Sequence, residues 1–423
     1  MKNPLIYSKM VMSINESVVS LMINEYIKIN LPKTLRECRE DSYPFFALPK
    51  PYNVPCATGI FQEMYYWDSY FTNKGLILDG NVDQAKNNVD NLKAMAERFG
   101  FVLNGNRVEF LNNSQPPFMS QAVREVYEAT GDKEWLKSSL SPIEKEYTFY
   151  TTRRNSPIGL SHYDAEMPLS DEQRKRGAEL LVERLGYTPD LSETDLARGL
   201  FSVGESGWDI NPRMTYRAYD YVPAELNSLI YSLENNMEYF CLELGMDADA
   251  DGWSARKEKR AALMREYLKS DDGIFFDYDL KEKKRTDLFS AAAYYPLYFG
   301  LATEEEATAA RDKLSLLETE WGTVTSVRCD EIPGTFQWGY PNGWPPMQVI
   351  IVGGLLRYGY REDAERIAKK FIRLIEKCFA ETGHLWEKYD VVKGSADALA
   401  EYETPAMLGW TYGTYRIFSE LIK

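Results

Sequence analysis

Along most of the chain, apolar residues recur at three- and four-residue intervals, the spacing of one face of a helix. Leu226, Leu229, Ile230, Leu233 and Met237 form one such stripe, and Ala364, Ile367, Ala368, Phe371, Ile372 and Ile375 form another. The pattern, broken by Gly, Pro and Asn, predicts helices over Val82–Phe99, Pro117–Thr130, Lys133–Tyr150, Pro223–Leu244, Ala255–Lys269, Asp287–Phe299, Glu304–Leu316, Met347–Tyr358, Arg361–Cys378 and Pro405–Leu421. Two segments, LNGNRVEFL and GIFFDYDLKEKKR, read as short hairpins inserted between helices, the first turned at Asn104–Gly105.

No Pro-, Ser- or Gly-rich linker divides the sequence and no low-complexity tract appears. About a dozen helices with loops of unequal length predict an all-α fold, its helices paired and closed into a toroid with short β-hairpin insertions. The expectation is one domain over residues 1–423, with roughly the first 50 residues a leading helix and extension. The longer loops, near residues 50–68, 100–116, 200–213, 321–346 and 384–404, carry most of the unusual residues. Loops of that length in a compact domain are more often functional than connective.

Composition narrows the function classes. The chain has 44% hydrophobic and 27% charged residues, the balance of a folded protein with a large core. A net charge of −15 repels polyphosphates at long range, so no nucleic-acid partner is expected. No stretch is long and apolar enough for a membrane span, so no membrane partner is expected either. The 29 tyrosines and 9 tryptophans offer flat faces with polar edges, which suit sugar rings and equally serve as core filler. Only His162 and His384 are histidines, so acid–base chemistry falls to carboxylates, and neither a metal centre nor a cofactor is expected. Cys38, Cys56, Cys241, Cys329 and Cys378 are odd in number and widely spaced, which reads as reduced thiols. With no signal-like run in the first 28 residues, a cytoplasmic location is expected. Asp247, Asp249, Asp251, Gly252 and Glu258 fit the spacing of a calcium loop, although Asp251 as a helix cap accounts for much of the pattern.

Four loops carry candidate chemistry. Gly204-Glu205-Ser206-Gly207-Trp208-Asp209 sets two carboxylates against a tryptophan whose apolar wall would raise a general acid's pKa; alternatively, Asp209 caps the next helix. His384-Leu385-Trp386-Glu387-Lys388 places Glu387 beside a cation that favours the ionised form of a base, or else is a solvated turn. Phe61–Phe71 surrounds Asp68 with aromatics, either as a sugar platform or as a buried helix start. Gln337–Pro346 is a Trp- and Pro-rich loop too elaborate for a mere connection.

Together these segments resemble the trehalase family, glycoside hydrolase family 37. The resemblance is carried by FQEMYYWDSYF, NSQPPF, ESGWD with a following Arg213, QWGYPNGWPP, EKYDV, and Glu401-Tyr402 before GWT, in the family's order from about residue 56 to 415. It implies an (α/α)6 barrel and inverting hydrolysis of an α-glucosidic bond, that of α,α-trehalose, without a cofactor. Carried over, Asp209 matches the catalytic acid and Glu387 the base. Phe61, Tyr65, Trp67, Asp68, Asn104, Gln115, Arg213, Trp338 and Glu401 match substrate-binding positions.

Four positions depart from the family pattern. Ile60, Asn113 and Met167 stand where arginines are expected, and Gly339 follows Trp338 where an aspartate is expected. Arg107, Arg213 and Arg217 are candidates to substitute for the arginines. Weaker use of trehalose than of another small α-glucoside, such as a sugar-acid or polyol conjugate, follows from these changes. Two rivals are a non-catalytic sugar-binding protein and a sugar epimerase, the latter poorly served by two histidines in separate loops.

Overall fold

The computed structural model describes residues 18–406 and 408–423. Residues 18–30 are helical (α1), and the first part of the N-terminal reading lies outside the described residues. The other helices are α2 (Tyr66–Leu78), α3 (Val82–Phe99), α4 (Met119–Thr130), α5 (Lys133–Thr148), α6 (Asp171–Leu185), α7 (Glu193–Glu205), α8 (Ala224–Glu243), α9 (Asp247–Tyr267), α10 (Tyr295–Tyr298), α11 (Glu304–Asp312), α12 (Pro345–Arg357), α13 (Arg361–Thr382) and α14 (Gly409–Leu421).

Six of them close a ring. α2 packs on α4, α4 on α8, α8 on α10, α10 on α12, α12 on α14, and α14 returns to α2. These inner helices are sequestered: α2, α8 and α12 bury residues all round, which is why their stripes are broad. α3, α5, α9 and α13 form an outer layer against them, giving the expected (α/α)6 barrel. The closing contact is tight, since a Cβ on Gly413 would meet the Phe71 carbonyl oxygen of α2.

Helix ends follow local chemistry. Ser170 and Gln173 make a capping box at the start of α6, and Gly186, at φ 72°, ends it in the left-handed conformation. Ser192 caps α7 and Asp132 caps α5. α6 and α7 pack on each other as a helical hairpin inserted between α5 and α8.

Short strands brace the loops at one end of the ring. β1 (Leu35–Arg36) pairs antiparallel with β2 (Tyr52–Asn53). β3 (Tyr221–Val222), β4 (Tyr278–Asp279) and β5 (Lys284–Arg285) form a three-stranded antiparallel sheet in that order, which contains the expected second hairpin. β6 (Asn342–Gly343) pairs with β7 (Tyr389–Asp390), tying the tryptophan loop to the Glu387 loop.

One expectation fails, and one open reading is decided. The segment around Asn104–Gly105 is not a hairpin: Gly105 bridges Tyr65, and Val108–Phe110 turns into a 3-10 helix. The Asp247–Glu258 spacing is not a calcium loop, because α9 begins at Asp247 and runs through it, so its carboxylates diverge along a helix. Acidic Asp247 and Asp249 in the first turn instead complement the helix dipole.

Candidate active site

A cavity of about 450 Å³ opens where the inner helices begin. Trp67 and Asp68 enter it from the first turn of α2, Gln115 from the approach to α4, Asp209 from the loop before α8, Trp338 and Trp344 from the approach to α12, Glu387 and Tyr402 from the chain leading into α14, and Trp410 from its first turn. Its deep end is aromatic. Trp338 stacks on Trp344 at 3.7 Å between ring centroids and on Trp208 at 5.9 Å, and Trp67 lies 5.5 Å from Trp338. Gly207 is required here, since its φ is 72° and a side chain would collide with the Trp67 ring.

Asp209 and Glu387 both line this cavity. Burial raises the pKa of Asp209, opposed chiefly by Arg184, whose Nη1 donates to Asp209 Oδ2 at 3.2 Å. Glu387 is 1% exposed. Its Oε2 accepts from Lys388 Nζ at 2.5 Å and its Oε1 from the Tyr402 hydroxyl at 2.8 Å, while Trp410 Nε1 donates to its backbone carbonyl at 2.9 Å. Burial nevertheless carries its pKa above the ordinary carboxylate value, with the charge of Asp209 adding to the rise. The ionised-base expectation from Lys388 thus meets a larger opposing effect, which makes Glu387 a stronger base when it is ionised.

Asp68 is buried in the same cavity, its pKa lifted well above the carboxylate range first by burial and then by Glu387. Asn104 is fixed by donating to the carbonyls of Ser114 and Gly204, and the Gln115 side chain accepts from the Trp67 backbone N–H at 3.1 Å. Phe61 and Tyr65 meet edge to face at 5.5 Å, and Phe61 meets Tyr402 in the same way at 5.9 Å. So Phe61, Tyr65, Trp67, Asp68, Asn104, Gln115, Asp209, Trp338 and Glu387 share one cavity wall. Glu401 stands just behind it, its side chain 1% exposed, 3.5 Å from Arg184 Nη1 and with a pKa pushed up to about 8 by burial and by Asp209.

Arg213 does not reach the cavity. Asp277 and Glu225 hold it in a buried ion cluster, where its guanidinium lies 4.5 Å from the Trp208 ring centroid. It supports the loop that presents Asp209. Arg107 is taken up by Glu63 and Glu109, and Arg217 by Asp220, Asp279 and Tyr221. Glu205, the neighbouring acid in the Asp209 motif, is fully buried: Arg154 chelates it at 2.7 and 2.9 Å, and the backbone N–H groups of Ser114 and Asp164 donate to it. The cavity's arginine is Arg184, on α6. Sequence reasoning missed it because α6 was not foreseen and its charges read as a solvated face; the one available signal was Leu180 four residues earlier, on the same side of the helix.

Among the described residues no cluster of three or more His, Cys, Asp or Glu side chains has the arrangement of a metal site, and no helix is long and apolar enough to cross a membrane.

Comparison with known proteins agrees with this geometry. The trehalase family model matches residues 6–422. The chain is 31% identical to a periplasmic trehalase of Pseudomonas aeruginosa over 391 residues, covering 86% of this chain and 70% of that one. It is 32% identical to a periplasmic trehalase of Escherichia coli over 399 residues, covering 89% and 69%. Among solved structures, the neutral trehalase of Saccharomyces cerevisiae superposes with a TM-score of 0.74 at 27% identity, covering 88% of this chain and 74% of that one.

The names of the bacterial relatives overturn the cytoplasmic expectation, since they point to the periplasm. The five cysteines were a weak guide to compartment: all are free, and Cys56, Cys241 and Cys378 are buried, where they behave as small apolar side chains. The fold, the site and the relatives converge on one conclusion: this chain is a glycoside hydrolase that acts on a carbohydrate, and it belongs to the trehalase family.

Proposed function

We propose that Asp209 is the general acid and Glu387 the general base of an inverting hydrolysis of small α-glucosides, with α,α-trehalose the substrate suggested by the relatives' names. The observation that carries the assignment is that both carboxyls line one tryptophan-floored cavity while each is held by different partners, Arg184 for Asp209 and Lys388 with Tyr402 for Glu387.

In this reading a glucosyl ring occupies the deep end against Trp67, Trp338 and Trp344, with Asp68, Asn104 and Gln115 as hydroxyl partners. Asp209, whose pKa burial raises, donates its proton to the glycosidic oxygen as the C1–O bond breaks. Glu387 removes a proton from the water that attacks C1 from the opposite ring face, so glucose leaves with inverted configuration. The Tyr402 hydroxyl and Lys388 hold the carboxylate in place for that transfer. Arg213 acts through Trp208 as a positioning residue, and Glu401 completes the charge network around Arg184. The carboxylates, each with its own partners, favour this over a sugar-binding role.

The test is hydrolysis of trehalose and of alkyl α-glucosides by the purified protein, with Asp209→Asn alongside. Turnover that depends on Asp209 supports the assignment. Saturable sugar binding with no turnover supports a binding protein instead.

A further inference from the structure

The two ends of the cavity differ in chemistry. Deep residues are buried aromatics and hydrogen-bonding groups, whereas the mouth is walled by half-buried or exposed apolar side chains: Ile60, Phe61, Phe110, Leu180, Leu200 and Phe201. Four elements supply them, namely the loop before α2, the 3-10 turn ending at Phe110, and both helices of the α6–α7 insertion. Ile60 is 56% exposed, a large apolar side chain facing solvent at the rim of a site, which is the position where such exposure marks a ligand contact.

The charged groups at the mouth are paired. Arg184 is shared between Asp209 and Glu401, and Glu109 pairs with Arg107. A second hexose bound there would bury several hydroxyls against Ile60, Leu180 and Leu200, which offer no hydrogen bond. A carboxylate-bearing leaving group fares worse: Asp68, Asp209, Glu387 and Glu401 surround the site, against Arg184 and Lys388 as the cations nearest them. An uncharged apolar group loses nothing at this wall and gains by leaving water.

We infer that the mouth of this cavity is an apolar leaving-group subsite, and that the preferred substrates are α-glucosides of uncharged hydrophobic alcohols. This rests on the hydrolytic reading above: glucose fills the closed end, and the alcohol it is bonded to lies along the α6–α7 wall toward the mouth.

The test is kcat/KM for methyl, propyl, butyl, hexyl and octyl α-glucosides and for trehalose under one set of conditions. The alkyl series holds leaving-group chemistry nearly constant, so its slope reports contact with the wall. Each added methylene is expected to raise kcat/KM about two- to fourfold until the wall is covered, and the butyl and longer glucosides are expected to exceed trehalose by about tenfold or more. Leu180→Ser and Leu200→Ser are each expected to flatten the series, and two sites guard against one variant failing to fold. A flat or falling series with trehalose turned over best overturns this inference and leaves the hydrolytic reading intact. Failure of every α-glucoside, trehalose included, overturns both.

Discussion

Arg184 Nη1 donates to Asp209 Oδ2 at 3.2 Å and lies 3.5 Å from Glu401 Oε2, so one guanidinium bridges the proposed acid and a buried second carboxyl. The contact lowers the pKa of Asp209 against the larger effect of burial. It also fixes where the acid points, because a guanidinium on a helix is a rigid anchor.

Removing that guanidinium shifts the proton balance in a defined direction. In Arg184→Gln the Asp209 pKa rises, and since the acid must be protonated, the alkaline limb of kcat/KM moves to higher pH. The rate at the optimum falls by about 10–10² from loss of one charge-assisted contact. A pH profile with an unmoved alkaline limb contradicts the role of Arg184.

Tyr402→Phe acts on the other limb. The phenol stabilises ionised Glu387, so without it the base's pKa rises. Glu387 must be deprotonated to work, and the acid limb of the profile therefore moves up by about one pH unit while kcat falls by roughly tenfold. An unchanged acid limb separates Tyr402 from the base.

Asp209 and Glu205 lie in one motif but are predicted to fail differently. Asp209→Asn lowers turnover by about 10²–10⁴ with substrate still bound and the melting temperature little changed. Glu205→Ala leaves Arg154 buried without its chelating partner and costs about 3–5 kcal/mol of stability, read as a lowered melting temperature. The reverse pattern would make Glu205 the acid.

Glu146, buried under the Tyr66 hydroxyl that donates to it at 2.5 Å, has a pKa raised to about 8. A carboxyl with a folded-state pKa above its unfolded value binds its proton more tightly when folded. Its contribution is fully present below about pH 4.5 and is lost as pH rises toward 8, by about 3–5 kcal/mol. In Glu146→Gln that part of the pH dependence of thermal unfolding disappears, measured by melting curves between pH 5 and 9. A variant whose curve parallels the parent's contradicts the raised pKa.

Much of the architecture was legible because inner helices must bury broad apolar faces, and stripes such as Leu226–Met237 declare them. The two carboxylates proposed as acid and base stood out through their tryptophan and lysine neighbours, although only the resemblance to known enzymes chose Asp209 over Glu205. What the sequence hid was the α6–α7 insertion. Its segment DEQRKRGAELLVERL alternates charges like any solvated helix, and only Leu180, one turn earlier, sets Arg184 apart from Arg174 or Arg176. Arg213 misled for the opposite reason: it adjoins the motif in sequence, yet Asp277, 64 residues later, draws it into the barrel interior. The calcium-like spacing at Asp247 was ambiguous in the sequence because acidic residues also favour a helix N-terminus.

The central claim, inversion by Asp209 and Glu387, is tested most directly by the anomer released first. The α-glucoside turned over fastest is followed by proton NMR before mutarotation equilibrates the product. β-Glucose appearing first, or equal α- and β-glucose from trehalose, is the predicted result; α-glucose alone would show a retaining mechanism and contradict the account.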